Sequence, residues 1–503
     1  MKSYMFKGVL SLMAAALPSV AGAPPASMKV RPASVAGSFY PGDPQELARM
    51  IDGYLAQAAP PALKGSLVAI VSPHAGYEYS GPVAAYGYSL LKGRKYERVV
   101  VISPTHVEPF NFSSVYGGDA YATPLGEILV DKEFVSQLVA TKAARIAPQG
   151  HGLVSGRGEH AIEVQLPFLQ RTLGSFKLVP IVMGDQSYEA CRSLGVALAK
   201  LIAANPETLI VASSDLSHYH PYKEAVSIDG KTLRAVQEWD YLSMSRNFDA
   251  QVWEACGGAP IIAAMMAAER LGAKEAQLLK YANSGDTSGE KSRVVGYGSV
   301  AFANGSGVAA KPFTLGDREK KALLALARKS VETAVREHRL TDLPPSDMPA
   351  LLEERGAFVT LREKGELRGC IGQVSASKTL ASTVREVAAL AALRDSRFQP
   401  VQASELASLD YEISVLSPLR HVMNVQEIQV GRDGLLMKNG PIEGLLLPQV
   451  PVEQHWDRGT FLEETCRKAG LPSGAWKSPQ TDVFAFTALV FGEKEPASRL
   501  ESR

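Results

Sequence analysis

Three apolar runs in this 503-residue chain each stop at serine or proline and then reach a histidine or an aspartate. Residues 67–71 lead into Ser72-Pro73-His74, residues 99–102 into Ser103-Pro104-Thr105-His106, and residues 209–212 into Ser213-Ser214-Asp215, with His218 three positions on. Imidazole binds iron, copper or zinc through one nitrogen and transfers protons near neutral pH. A carboxylate commonly fills the third place of a site that keeps positions open for substrate or dioxygen. A lone histidine at a strand end usually caps a turn, but the repeat of strand, Ser-Pro and histidine makes His74, His106, Asp215 and His218 candidates for one metal or acid–base site.

For those residues to meet, the runs must be neighbouring strands. Continuous β-branched runs of this length read as strands buried on both faces of an α/β sheet, and such sheets bind ligands beyond the carboxyl ends of their strands. Residues 178–183 supply a fourth run, ending in Gly184-Asp185, and amphipathic helical stretches at 44–55, 188–203 and 260–271 alternate with the strands. Over residues 28–303 this rhythm predicts an α/β domain with a largely parallel or mixed central sheet covered by helices. Small residues and a proline over 304–312 mark a connector, taken as 304–315, and the rhythm changes behind it. From 316 to 497 the pattern predicts an α+β domain: a helix from Asp317 to about Arg339, a hairpin of 358–361 and 367–371 around Glu363-Lys-Gly-Glu366, and a helix at 379–393. Strands are expected at 411–416, 428–430, 435–438 and 485–491, with Asp433-Gly434 and Asn439-Gly440 as turns. Each of the two domains has enough apolar residues for a core of its own.

Lysine and arginine total 53 against 52 acidic residues, so the formal charge of +1 provides no overall attraction to nucleic acid or anionic lipid. Four widely spaced cysteines, Cys191, Cys256, Cys370 and Cys466, form neither a small disulfide framework nor a CxxC zinc knuckle. Residues 1–27 read in two ways. Lys2, Lys7, the apolar stretch 8–16 and the small residues at 18–23 resemble a secretory signal, which implies a periplasmic or secreted protein. Alternatively Met28-Lys-Val-Arg-Pro32 is the true start, which implies a cytoplasmic one. No later apolar run reaches transmembrane length, so no membrane span is expected in the mature chain.

Two local patterns carry further candidates. In Glu159-His160-Ala-Ile-Glu163, His160 and Glu163 share a face if the segment is helical, and the Glu-His-x-x-Glu pattern is expected to support ligating imidazoles through hydrogen bonds. In Leu367-Arg368-Gly369-Cys370-Ile371-Gly372, the glycines let a strand bulge or approach a neighbour. The functional alternative makes Cys370 a nucleophile or redox thiol whose pKa Arg368 lowers, but without a matched histidine the structural reading is preferred. His151 and His220 are expected to be solvated loop residues.

Taken together, Arg31-Pro-Ala-Ser-Val-Ala-Gly-Ser-Phe-Tyr-Pro41, Pro73-His-Ala-Gly-Tyr77, Ser103-Pro-Thr-His106, Glu159-His-Ala-Ile-Glu163, Ser213-Ser-Asp215 with His218, and Cys256-Gly-Gly resemble the Memo family, in collinear order over nearly all of the first domain. The resemblance implies a fold shared with the class III extradiol (LigB-type) dioxygenases and a metal site of His74, His106 and Cys256, where the dioxygenases carry a carboxylate in place of the cysteine. It also implies that His218 is the acid–base histidine, and Asp215 is read as positioning it. A thiolate favours copper or zinc as well as iron and is itself oxidisable, which weakens the case for extradiol ring cleavage.

The Arg368–Gly372 motif, with Gly356-Ala-Phe-Val359, Asp395-Ser-Arg-Phe398 and Gly444-Leu-Leu-Leu-Pro448, resembles the AMMECR family over nearly all of residues 323–493. That resemblance implies a compact α+β fold with no established reaction. It also implies that both halves are associated with a radical SAM protein, in a grouping named AmmeMemoRadiSam. The chain has no CxxxCxxC motif, so the radical SAM component is not expected within it, and the resemblance implies that protein as a partner.

The leading expectation is a metal-binding redox or oxygenase-like protein that holds non-haem iron or copper, with zinc as an option, acts on an unidentified small molecule and carries an AMMECR-type accessory module. A non-catalytic metal carrier or assembly factor for the radical SAM partner, and a zinc-dependent hydrolase using the same pocket, stand beside it. Whether the chain is an enzyme is left open by its residues.

Overall fold

The structure is a computed structural model that describes residues 28–305, 313–374 and 377–494. The segment 1–27, most of the connector and residues 495–497 lie outside the described residues.

The four apolar runs of the first domain are the strands Ser66–Ser72, Arg98–Pro104, Lys177–Met183 and Thr208–Ser213. All four are parallel, in the spatial order Ser66–Ser72, Thr208–Ser213, Arg98–Pro104, Lys177–Met183. Their interior residues are buried throughout, as a sheet covered on both faces requires. Antiparallel neighbours flank this centre, Val294–Asn304 beside Ser66–Ser72 and Ser113–Val115 beside Lys177–Met183, so the nine-stranded sheet is mixed. Helix Tyr188–Ala203 spans the expected residues, with Ser187 accepting Ala190 N–H at its N-cap. It packs on helix Gly258–Arg270, which is buried on nearly every side.

The second domain holds a seven-stranded antiparallel sheet, with Ala357–Glu363 between Glu366–Gln373 and Leu409–Leu416, then Asp482–Gly492, Asp433–Asn439 and Ile442–Leu446. The expected hairpin is present: Lys364 and Gly365 both have positive φ, 53° and 89°, as a two-residue turn between twisted strands demands. Helices Asp317–Glu337 and Leu380–Leu393 pack together, the second against this hairpin.

Two expectations fail locally. Residues 428–430 are not a strand; a short 3-10 turn, Val425–Glu427, leads into a fully buried Ile428, which plugs a core by its apolar side chain alone. Asp433-Gly434 opens the strand Asp433–Asn439 instead of turning, because the Asp433 carboxylate caps the preceding loop by accepting Gln429 N–H at 2.8 Å.

The core does not stop at the connector. Leu416, Leu419, Leu436, Leu447, Phe484 and Phe486 of the second domain belong to the same apolar cluster as the first-domain strands. A buried polar knot lies beside it: Asp482 accepts hydrogen bonds from Tyr188 Oη and Arg192 Nε, both at 2.8 Å, while His421 Nδ1 lies 3.1 Å from Glu269 Oε2. Among the described residues no helix is long and apolar enough to cross a membrane.

Candidate metal centre

The site follows from strand register. Ser72 pairs with Ser213, and Ile102 with Ala212, so three parallel strands leave the sheet at one level and deliver His74, His106 and Asp215 to the same edge. The His74 and His106 rings lie 5.1 Å apart, edge to face. Cys256 comes from the turn before helix Gly258–Arg270. A side chain at Gly257 would sit 2.2 Å from the Ser213 carbonyl oxygen, so glycine is required for this turn to close onto the strand end. Gly257 N–H donates to Ser214 Oγ at 3.0 Å, and Cys256 Sγ lies 3.2 Å from His74 Nε2. One ring nitrogen from each histidine and Sγ all lie within 4.8 Å of one another.

Hydrogen bonds decide which nitrogens face this point. Ser213 Oγ–H donates to the Ala161 carbonyl at 2.7 Å, so its lone pairs accept from Gln165 Nε2 at 2.7 Å and His74 Nδ1 at 2.9 Å. That assigns His74 a proton on Nδ1 and aims the Nε2 lone pair at Cys256. Burial, reinforced by the nearby His106, holds the His74 pKa well below its usual value, so the ring is neutral and ready to ligate.

His106 Nδ1 donates to Glu159 Oε1 at 2.9 Å, which leaves Nε2 as its unprotonated nitrogen, available to a cation. Burial opposes charge on Glu159, but the hydrogen bond and charge of His106, the nearby His160 and the backbone N–H of Ala161 outweigh it and hold the carboxyl pKa at about 2. Burial also opposes charge on His106, and there too the hydrogen bond with Glu159 wins, raising the pKa. The His74 side chain is 2 % exposed and that of His106 29 %, so the site has one dry wall and one open one.

The structure reassigns several expected roles. Within the Glu-His-x-x-Glu pattern, Glu159 is the member whose carboxylate bonds an imidazole of the cluster, that of His106. Glu163 does not support the imidazoles. It accepts from Arg31 NH1 at 2.9 Å, the backbone N–H groups of Ser34 and Val35, and Tyr40 Oη at 2.7 Å, and so straps the N-terminal motif across the site. The segment is not helical at His160, whose ring instead stacks on His106 at 4.7 Å with Phe39 at the same distance. Burial lowers its pKa to about 4.

Asp215 accepts the His74 backbone N–H at 2.8 Å, and Cys256 Sγ accepts the Asp215 N–H at 3.3 Å. Asp215 therefore orients the metal-site backbone; His218 is oriented by its own turn, donating from Nδ1 to the Leu216 carbonyl at 2.8 Å. His218 still lies near enough for its charge to act on His74 and Asp215. Neither of the other two histidines is a free loop residue. His151 is buried against Tyr121 Oη, and burial lowers its pKa to about 3. His220 lies between Glu254 at 2.8 Å and Glu224 at 3.4 Å.

In the second domain the structural reading of Arg368, Gly369, Cys370 and Gly372 accounts for each residue. A Cβ on Gly369 would lie 2.3 Å from the Ala391 carbonyl oxygen, and one on Gly372 would meet the Phe358 ring at 2.2 Å. Arg368 pairs with Glu405, Nε to Oε1 2.7 Å, and Cys370 N–H donates to Asp395, which also holds Arg397. Burial pushes the Cys370 thiol up, the opposite of activation.

His74, His106 and Cys256 form a donor set suited to borderline and soft transition metals. Burial, and then the neighbouring Asp215, raise the Cys256 pKa, so a thiolate here needs a cation to compensate its charge. The residues fit a metal.

Residues 31–301 match the family model described as Memo-like protein, and residues 324–491 match the model described as AMMECR1. A MEMO1 family protein of Methanopyrus kandleri is 36% identical over 285 residues, which cover 55% of this chain and 99% of that protein. Another from Sulfolobus acidocaldarius is 38% identical over 290 residues, covering 55% of this chain and all of its own. Among solved structures, an uncharacterised protein of Pyrococcus horikoshii is 39% identical, covering 36% of this chain and 95% of that one at a TM-score of 0.35. The chain belongs to the Memo family. It joins the Memo-like domain to an AMMECR1 domain in one polypeptide.

Proposed function

We propose that the first domain is a metal-dependent redox or oxygenase-like module in which His74, His106 and Cys256 hold non-haem iron or copper. The observation that carries this reading is the pairing of each histidine's Nδ1, with Ser213 in one case and Glu159 in the other, which leaves both Nε2 atoms for a shared cation. When bound, such a metal supplies a Lewis acid and a redox centre. His218 keeps its proton on Nδ1 through Leu216, so Nε2 is its basic nitrogen for taking a proton from an unidentified small-molecule substrate. The open side at His106 admits that substrate. The AMMECR1 domain acts as an accessory module, and a radical SAM protein is the proposed partner.

The exposure of His106 also favours a second reading, a metal carrier that hands its ion to that partner. Oxygen uptake by iron-loaded protein over a phenolic series separates the two. A redox enzyme shows uptake that falls about a hundredfold in His218→Ala while metal content is kept, the usual size of a general acid–base contribution. Equal rates remove His218 from the mechanism, and no uptake in the parent protein favours the carrier.

A further inference from the structure

Cys256 occupies a turn between helices Tyr241–Asp249 and Gly258–Arg270, and the second domain touches both the residues that lead into that turn and the far end of the helix that follows it. Three residues before the cysteine, the buried Trp253 donates its indole N–H to Glu354 Oε2 at 3.1 Å. At the far end of the following helix, Glu269 and Arg270 meet His421 and Asp482, with Glu269 Oε2 to His421 Nδ1 3.1 Å and Arg270 to Asp482 3.7 Å. The other oxygen of Glu354 pairs with Lys231 at 2.7 Å. Lys231 lies on helix Tyr222–Gln237, whose Asp229 accepts Ser217 N–H at 2.8 Å and so anchors the backbone beside His218. One carboxylate from the second domain thus joins the segment leading to Cys256 and the helix that supports His218.

We propose that Glu354 is a positioning residue for the Cys256 thiol, acting through Trp253, so that the second domain sets the geometry of the metal centre. The inference rests on the reading of Cys256 as a ligand. The ligand turn, residues 250–257, contains no regular element; Gly257 N–H to Ser214 Oγ and Glu254 to His220 hold its far side, while Trp253 and Val252 bond back to the Asn247 carbonyl. On the side that leads into the cysteine, the largest side chain is Trp253, and Glu354 fixes its indole. Glu354 also borders a cavity of about 410 Å³ between the domains, so its truncation opens onto space and does not break packing.

The test uses the full chain with cobalt(II) as probe, read by the thiolate-to-cobalt absorption band and by titrated affinity, with thermal melting as a check on folding. Glu354→Ala and Trp253→Phe remove the hydrogen bond, and each is expected to weaken cobalt binding about tenfold and shift the band, in the range known for partners that orient ligands. Glu354→Gln keeps an oxygen that accepts from the indole N–H and is expected to restore both, whereas Lys231→Met leaves both unchanged. If Glu354→Ala and Glu354→Gln behave alike, or all variants match the parent, the proposal is overturned. A parent protein with no thiolate band refutes the ligand reading instead. In that case the alkylation rate of Cys256 in the apo-protein, followed by peptide mass, still decides the positioning role: a rate higher in Glu354→Ala than in Glu354→Gln supports it, and equal rates reject it.

Discussion

At the edge of the first-domain sheet, a buried carboxylate, that of Glu159, determines which nitrogen of His106 faces the candidate metal centre. Replacing it by Glu159→Gln preserves shape but loses the charge that holds Nδ1 protonated, so metal affinity is expected to fall by about 10- to 100-fold. Calorimetric titration checks this, and an unchanged affinity would show that His106 is oriented by packing alone. Cys370→Ala serves as the matched control. Its thiol sits in the second-domain sheet with Thr360 and is expected to leave metal content as it was, whereas Cys256→Ala loses bound metal. The two cysteines look alike as sequence, each beside a glycine. Only their surroundings separate them.

Individual elements show what was legible beforehand and why. The four central strands and helix Tyr188–Ala203 could be read because burial on both faces leaves an unbroken apolar run and one buried face leaves a helical repeat. The strand ends therefore make His74 and His106 legible as members of one cluster. Cys256 had no such signal of its own and needed the family resemblance, because a turn that closes onto a distant strand through one glycine leaves no periodicity. The Glu-His-x-x-Glu pattern points to imidazole support without separating its two acids for a related reason: which of Glu159 and Glu163 meets an imidazole depends on the fold of a segment that is not helical at His160. Residues 428–430 differ because one alternation, Ile428-Gln429-Val430, is too short to tell a strand from a buried plug. Gly369 supplies a test at this scale. Gly369→Ala drives a methyl group into the Ala391 carbonyl of helix Leu380–Leu393 and is expected to destabilise the protein by about 1–3 kcal/mol, measured by denaturant unfolding. A loss below a few tenths of a kcal/mol would mean that the sheet and helix separate easily.

On the scale of the whole molecule, the polar knot between the domains makes stability depend on pH. His421 faces Glu269 and Asp482, which attract its charge, and Arg270, which repels it, and its ring lies against Tyr241 and Phe484. Burial opposes protonation, but the two carboxylates outweigh it and raise the pKa above the ordinary 6.5. A raised pKa contributes stability that is complete below the unfolded value and is lost as pH climbs through the folded one. The melting temperature of the parent protein should therefore exceed that of His421→Gln most below the ordinary imidazole value of 6.5, and the gap should close as pH rises through the raised folded value. A constant gap would place the effect in packing. Asp482 acts in the opposite direction: burial opposes its charge, but His421 and Arg192 lower its pKa, so its share disappears only in acid.

The apolar cluster that runs from the first-domain strands to Phe484 and Phe486 has a consequence for the connector between them. Two surfaces that bury such side chains against each other are, in effect, a heterodimer written as one chain, and the intervening residues serve to keep the effective concentration of each half high for the other. Cutting that tether should leave the halves associated, eluting together from a sizing column at micromolar concentration, and progressive dilution should part them. Halves that separate at once after cleavage would mean that the tether, and not the shared cluster, keeps them together.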